Sequence, residues 1–387
     1  MGLKSNFVTL PLLLLLLSTA KGQSAGGAAA AGAATGAAVG ATAGAVGAAA
    51  GAAVGAAAGA VGGAAGNATG GAAGNTTAGA AGNATTGAAG NATGGAGGVF
   101  DVTTYGAKPD TDITAALINA WKEACASTTP SKVLIPKGSY QFTGATINGP
   151  CKSSIELQVE GTLKAPPEPK GEGWLFVEYV DFLTISGTGV FDGNGKAGDD
   201  CISVGDTNKQ IVISDVTCGP GHGISIGSLG KYTKEKEVVG VTVKKCKLIN
   251  TSNGVRIKTW PDAAVSFPAT DMHFEDIEMT NVSFPIIIDQ EYCPWNQCNR
   301  KVPSSIKISK VSFKNIRGTS ATPIAVKIVC SKSVPCEGVE IADIDLTYNG
   351  SQGPIKSQCA NVKPVITGKQ NPPICAEVAP ADAPSID

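Results

Sequence analysis

From Ile155 onward, short apolar alternations return along the chain about every 30 residues, with no helical pattern between them. Ile155/Leu157, Ile211/Ile213, Val239/Val241/Val243, Ile306/Ile308 and Val339/Ile341 each fit one buried face of a strand. Several are followed, across a polar turn, by a second short strand, as at Gly223-Ile224-Ser225-Ile226, Gly254-Val255-Arg256-Ile257 and Pro285-Ile286-Ile287-Ile288. Asn and Gly gather at the corners, as at Asn250 and Asn253-Gly254. Recurrent short strands without intervening helices predict an all-β solenoid, a parallel β-helix in which each coil buries its apolar face against the next. A β-sandwich of equal strand content would join its strands through tight two-residue hairpins, and few such signals are present.

The folded domain is expected over 99–387. It opens with a short strand at Val99-Phe100-Asp101-Val102. One helix follows from Asp112 to Cys125, its apolar face formed by Ile113, Ala116, Leu117, Ala120, Trp121 and Ala124. It reads as a cap on the solenoid's first coil. Val133-Leu134-Ile135 resumes strand. Residues 23–98 are different in kind. They hold most of the chain's excess of glycine, 24 of 51, and no charged residue or proline. Without large apolar side chains this region builds no core and is expected to be disordered. Near its end, Asn67, Asn75, Asn83 and Asn91 each begin an Asn-x-Thr sequon, eight residues apart. A glycosylated flexible spacer and a repeat expansion without a task both fit. Further sequons begin at Asn250, Asn281 and Asn349.

Residues 1–22 read as a secretory signal: Lys4, an apolar run from Val8 to Leu17, then small residues at Ser18-Thr19-Ala20 or Ala20-Lys21-Gly22. The run is short for a membrane span, so the mature protein is expected outside the cell and free of the membrane. Eleven cysteines suit an oxidising compartment, and their odd number leaves one without a partner in the chain. The short spacings Cys293–Cys298 and Cys330–Cys336 suggest loop staples. Zinc is disfavoured, because no Cys-x-x-Cys occurs and His222 and His273 are the only histidines. A net charge of −1 gives no reason to expect a nucleic-acid partner.

A solenoid stacks equivalent positions, so polar groups on successive coils form one face. Three such groups stand out. Asp199 and Asp200 are adjacent, and in a straight strand one of them would point inward and require a partner. Taken alone, such a pair fits a solvated turn equally well. His222 lies in Gly219-Pro220-Gly221-His222-Gly223, where flanking glycines allow close backbone approach. It could tune a neighbouring acid or simply cap a corner. Arg256 and Lys258 alternate with Val255 and Ile257 and so share a side, which suits an anionic ligand or a solvated face.

Together these segments resemble the polygalacturonases, a family of pectin-degrading glycoside hydrolases. The resemblance spans roughly 99–380 and rests on Gly198-Asp199-Asp200-Cys201, Gly221-His222-Gly223 and Arg256-Ile257-Lys258. The entry segment Val99 to Asp110 and Asp289-Gln290-Glu291-Tyr292-Cys293 agree. The wording is most similar to plant pollen exopolygalacturonases. The resemblance implies a right-handed β-helix and hydrolysis of α-1,4-galacturonan with inversion, by a secreted monomer of the cell wall that needs no metal or other cofactor. It makes Asp199 the general acid and gives Asp200 a part in activating water. His222 then supports the acid's protonation, Arg256 and Lys258 bind the sugar carboxylate, Tyr292 contacts substrate, and a Cys201–Cys218 disulfide braces the site.

One departure matters. The family carries a third aspartate in an Asn-Thr-Asp motif one coil before Asp-Asp, and no Asn-Thr-Asp occurs in this chain. Only Lys196, Ala197 and Gly198 separate Phe191-Asp192-Gly193-Asn194-Gly195 from Asp199, so roughly three coils are expected to be missing. Two function classes follow: a polygalacturonase with reduced or no turnover, and a non-catalytic pectin-binding wall protein on the same scaffold. A calcium-dependent lyase would require a carboxylate ladder that is not seen.

Overall fold

The computed structural model of the protein describes residues 98–166, 174–195, 199–375 and 377–378. The signal segment, the Ala/Gly-rich region up to residue 97 with its four sequons, and the junction 196–198 lie outside them. Among the described residues the strands pair in parallel, each lying on its counterpart one coil earlier. One ladder starts at Val99–Asp101 and Ser131–Ile135, and a second at Ser139–Gln141 and Thr162–Lys164. They merge where Pro268–Val282 runs through both as a single long strand. A separate sheet of nine strands, from Ala145–Asn148 to Glu377–Val378, forms the remaining wall. This is a parallel β-helix, right-handed as parallel crossovers within one sheet nearly always are. The expected helix is present as Thr114–Ala126 and buries Ala116, Leu117, Ala120, Trp121 and Ala124. Its Trp121 Nε1 donates to the Asn148 carbonyl (3.0 Å), and the Cys125–Cys151 disulfide ties its end to the neighbouring coil.

The core is a set of aliphatic columns. Ile155, Leu183, Ile211, Val241, Met272, Val311 and Val339 lie directly above one another, all at 2% exposure or less. Each such side chain stabilises the fold by about 1.5–3 kcal/mol relative to exposure. In the adjacent column the rings of Phe274 and Phe313 stack at 4.9 Å. One reading of the alternation needs correction. Val239 was expected to face inward with Val241 and Val243, yet it is half-buried while Val238 is fully buried. Gly240 between them has φ +75°, and the residue at that rung is left-handed on successive coils: Phe182, Gln210, Gly240, Asp271, Lys310 and Gly338. A bend there breaks the two-residue period.

The coils on either side of the junction stack directly. Leu175 pairs with Ile202, Leu183 with Ile211 and Val190 with Thr217. The solenoid therefore continues in register across the place where coils were expected to be missing. The sequon asparagines Asn250, Asn281 and Asn349 are exposed, and Asn281 Nδ2 donates to Asn250 Oδ1 on the preceding coil (3.0 Å).

Ten cysteines form five disulfides, and Cys246 is left free and buried. Burial pushes its thiol up to about 12, against hydrogen bonds to neighbouring backbone that favour the thiolate. Since the thiolate is the reactive form, iodoacetamide should leave the native protein unmodified and add one group per chain in urea. Mass spectrometry of the two samples checks this.

Candidate active site

Four successive strands of the nine-stranded sheet build the site: Leu175–Glu178, Ile202–Val204, Ile224–Leu229 and Asn253–Thr259. Their apolar residues register through Ile202, Ile224 and Val255, which aligns Ser203, Ser225 and Arg256 in one column. The expected residues Asp199, Asp200, His222, Arg256, Lys258 and Tyr292 all converge here, and they divide into two groups by burial.

Asp200 is 1% exposed and has its partners on the next two coils. Its Oδ1 accepts from Arg256 Nη2 (2.9 Å) and Ser225 Oγ (2.8 Å), and its Oδ2 from Lys258 Nζ (2.7 Å). Arg256, also 1% exposed, donates from Nε to Ser225 Oγ (3.2 Å). Burial alone would push the Asp200 carboxyl up. The charges of Lys258 and Arg256, with the hydrogen bonds from Lys258 and Ser225, outweigh it and hold the group below the usual carboxylate range. Burial likewise pulls the Lys258 ammonium down against the opposing pull of Asp200. The short contacts from two cations and a hydroxyl fix Asp200 as an ionised carboxylate.

Asp199 faces the other way. It lines an open cleft of about 760 Å³ together with His222, Lys258, Tyr292, Ser203 and Glu178. Its Oδ1 accepts from the backbone N–H of Asp200 (2.7 Å) and lies 3.7 Å from His222 Nδ1. The adjacent aspartates thus have different surroundings, although both precede the strand Ile202–Val204 and lie at a bend rather than in an alternating run. His222 is placed by its own backbone, whose N–H donates to the Asp199 carbonyl (3.0 Å). Gly223 beside it lets the following coil pack closely: φ is +79°, and a Cβ would fall 2.2 Å from the Asn253 carbonyl oxygen. Cys201 and Cys218 are bonded, tying the segment after Asp200 to the one leading to His222.

Tyr292 lies over both cations, 5.6 Å from the Arg256 guanidinium and 5.1 Å from Lys258 Nζ, with Trp260 edge-on at 6.1 Å. Arg256 itself does not line the cleft. Exposed Trp295 and Tyr232 flank the opening with Lys231 and Lys234. Glu178, Asp206 and Glu235 stand in the same cleft, where burial and then the charge of Asp206 raise Glu178 above its ordinary value. The sequence reading missed Ser225, Trp260 and these carboxylates. Ser225 was recoverable by laying Ile224/Ile226 over Val255/Ile257. One donor atom each of Asp199, Asp200 and His222 falls within 4.8 Å, a spacing that metals use. Two cations already face Asp200, which makes this a poor place for a third.

Two carboxyl groups, one reaching a cleft beside a histidine and one buried and ionised behind it, are groups that glycoside hydrolysis can use. The signature of glycosyl hydrolases family 28 matches residues 125–197 and 196–371, and the chain belongs to that family. It is 43% identical to a polygalacturonase of Medicago sativa, covering 73% of this chain and 89% of the relative. It is 46% identical to an exopolygalacturonase of Oenothera organensis, covering 68% of this chain and 98% of the relative. The first alignment runs over 380 positions, but 73% of 387 is about 283 residues, so roughly 97 positions of the relative have no counterpart here. The family match breaks at 196–197, the expected junction. At about 30 residues per coil, the missing stretch amounts to about three coils.

Replacing Asp200 by Asn leaves Arg256 and Lys258 buried without their counter-charge, which should cost about 3–5 kcal/mol. A carboxyl held low in the fold adds stability above its unfolded value of about 3.9, and that share is lost as pH falls through the folded value. Urea midpoints measured from pH 7 downward should therefore fall in the native protein below about pH 4, with this part of the fall absent in Asp200→Asn.

Proposed function

We propose that this protein hydrolyses the α-1,4-galacturonosyl linkages of pectin from chain ends, with inversion, in the cleft lined by Asp199, His222, Lys258 and Tyr292. The observation that carries this reading is the division of the aspartate pair: Asp199 reaches the cleft, and Asp200 is buried behind it. Asp199 protonates the leaving oxygen, and His222, 3.7 Å away, supports its protonation. Lys258 attracts the uronate carboxylate, and Arg256 acts from behind by holding Asp200 and Tyr292. The names of the relatives support galacturonan as substrate and exo attack as its mode. The protein works outside the cell, in the wall, as a monomer without a cofactor.

Water activation falls to Asp200, whose two oxygens are already engaged. Its nearest approach to Asp199, within 4.8 Å, is closer than the about 6.5–9.5 Å at which inverting pairs hold a water. The family's third aspartate is missing with its coil. Turnover is therefore slow beside relatives that keep the motif, while binding persists. The saturation of Asp200 also favours a second reading, a non-catalytic pectin-binding protein of the wall.

Incubation with polygalacturonate should release galacturonate slowly as the first product. Asp199→Asn should reduce the rate about 10²–10⁴-fold and still bind the polymer. Binding by the native protein with no release of reducing ends would establish the second reading, and absence of binding would overturn both.

A further inference from the structure

The turn that carries Tyr292 rests on a buried ion pair that the chemistry above does not use. Asp289 ends the strand Phe284–Asp289 and is 2% exposed. Its Oδ1 accepts from the backbone N–H of Glu291 (2.9 Å), closing the first step of the turn. Its Oδ2 lies 3.6 Å from Nζ of Lys327, which is 4% exposed and belongs to the next strand, Ile324–Val329. In the ladder Asp289 sits between Lys258 on one coil and Val329 on the other, with Lys327 one alternation away. Lys258 is committed to Asp200 at 2.7 Å, so Lys327 supplies the counter-charge for Asp289.

We propose that Lys327 is a positioning residue for polyuronate binding: acting through Asp289, it fixes the turn that lays Tyr292 across Arg256 and Lys258. A buried ion pair gains little as a stability device, because desolvation offsets its attraction. What it holds in place is therefore the more informative question. The rest of the turn is anchored in the same direction. Gln290 donates from Nε2 to the Ile306 carbonyl (2.9 Å) and accepts at Oε1 from the Ser331 N–H (2.9 Å). The Cys293–Cys298 disulfide closes the loop just beyond Tyr292. Cation contacts to a ring face need the ring within about 6 Å, and Tyr292 meets both at 5.6 and 5.1 Å, so a small shift of the turn would lose them.

This inference rests on the galacturonan cleft proposed above, and the test separates the two. Digalacturonate affinity by calorimetry and amide hydrogen exchange over 289–298 are measured for the native protein, Lys327→Met, Lys327→Arg, Tyr292→Ala and Lys327→Met/Tyr292→Ala. Lys327→Met should weaken binding about tenfold, the scale of one or two lost cation–ring contacts, and speed exchange in the turn. Lys327→Arg should restore both, and Lys327→Met should add nothing in the Tyr292→Ala background. The double variant Asp289→Asn/Lys327→Met, which leaves no lone buried charge, should show the same faster exchange if Lys327→Met fails to fold. Unchanged exchange, or equal weakening with and without Tyr292, overturns the proposal. A native protein that does not bind digalacturonate overturns the cleft reading alone, and exchange still decides whether Lys327 holds the turn.

Discussion

A strand in a parallel coil satisfies its backbone N–H and C=O groups by lying in register on the coils beside it. Everything else in this molecule follows from that pairing. It places Leu183 over Ile155 and Ile211 over Leu183, so the core is a set of columns. It also decides which outward side chains meet. Ile202, Ile224 and Val255 in register bring Ser225 and Arg256 to Asp200, although 56 residues separate that arginine from that aspartate. The site is thus a product of backbone pairing before it is a product of side-chain attraction.

The attraction then fixes the chemistry. Asp200 could not stay ionised at 1% exposure without strong partners. Two cations and a hydroxyl supply them, and the same contacts leave both oxygens occupied. Asp199, one residue earlier, keeps its contact with His222 and its access to the cleft. Neighbouring carboxylates of one chemical type thus sit in different environments, one buried against the wall and the other open to the cleft.

Much of this was legible in the sequence. The coil period and the shared side of Arg256 and Lys258 follow from local alternation, which one strand displays by itself, and the capping helix follows from apolar residues at about 3.6-residue spacing. The division of Asp199 from Asp200 does not follow from alternation, because both lie at a bend before the strand Ile202–Val204. What alternation cannot give is register between coils. Asp200 as the partner of Arg256, Ser225 as the bridge and Lys327 as the partner of Asp289 all depend on which residue lies over which. Val239 was misplaced for a related reason. The left-handed residue at Gly240 bends the strand, and a glycine signals freedom to bend without saying that the chain uses it.

Contacts limited to neighbouring coils let folding and chemistry depend on different residues. Pairing of Leu175 with Ile202 is enough to continue the solenoid across the junction, whatever coils related proteins carry there. The strands that present Lys258 and Tyr292, Asn253–Thr259 and Phe284–Asp289, lie wholly after it, as does the strand with Lys327 that supports them. The residues proposed to bind an anionic sugar therefore all follow the junction in the chain. Under the proposed function, a chain without the Asn-Thr-Asp segment loses a carboxylate while keeping the strand with Lys258 and the turn with Tyr292, and that is why the proposal pairs slow turnover with retained binding.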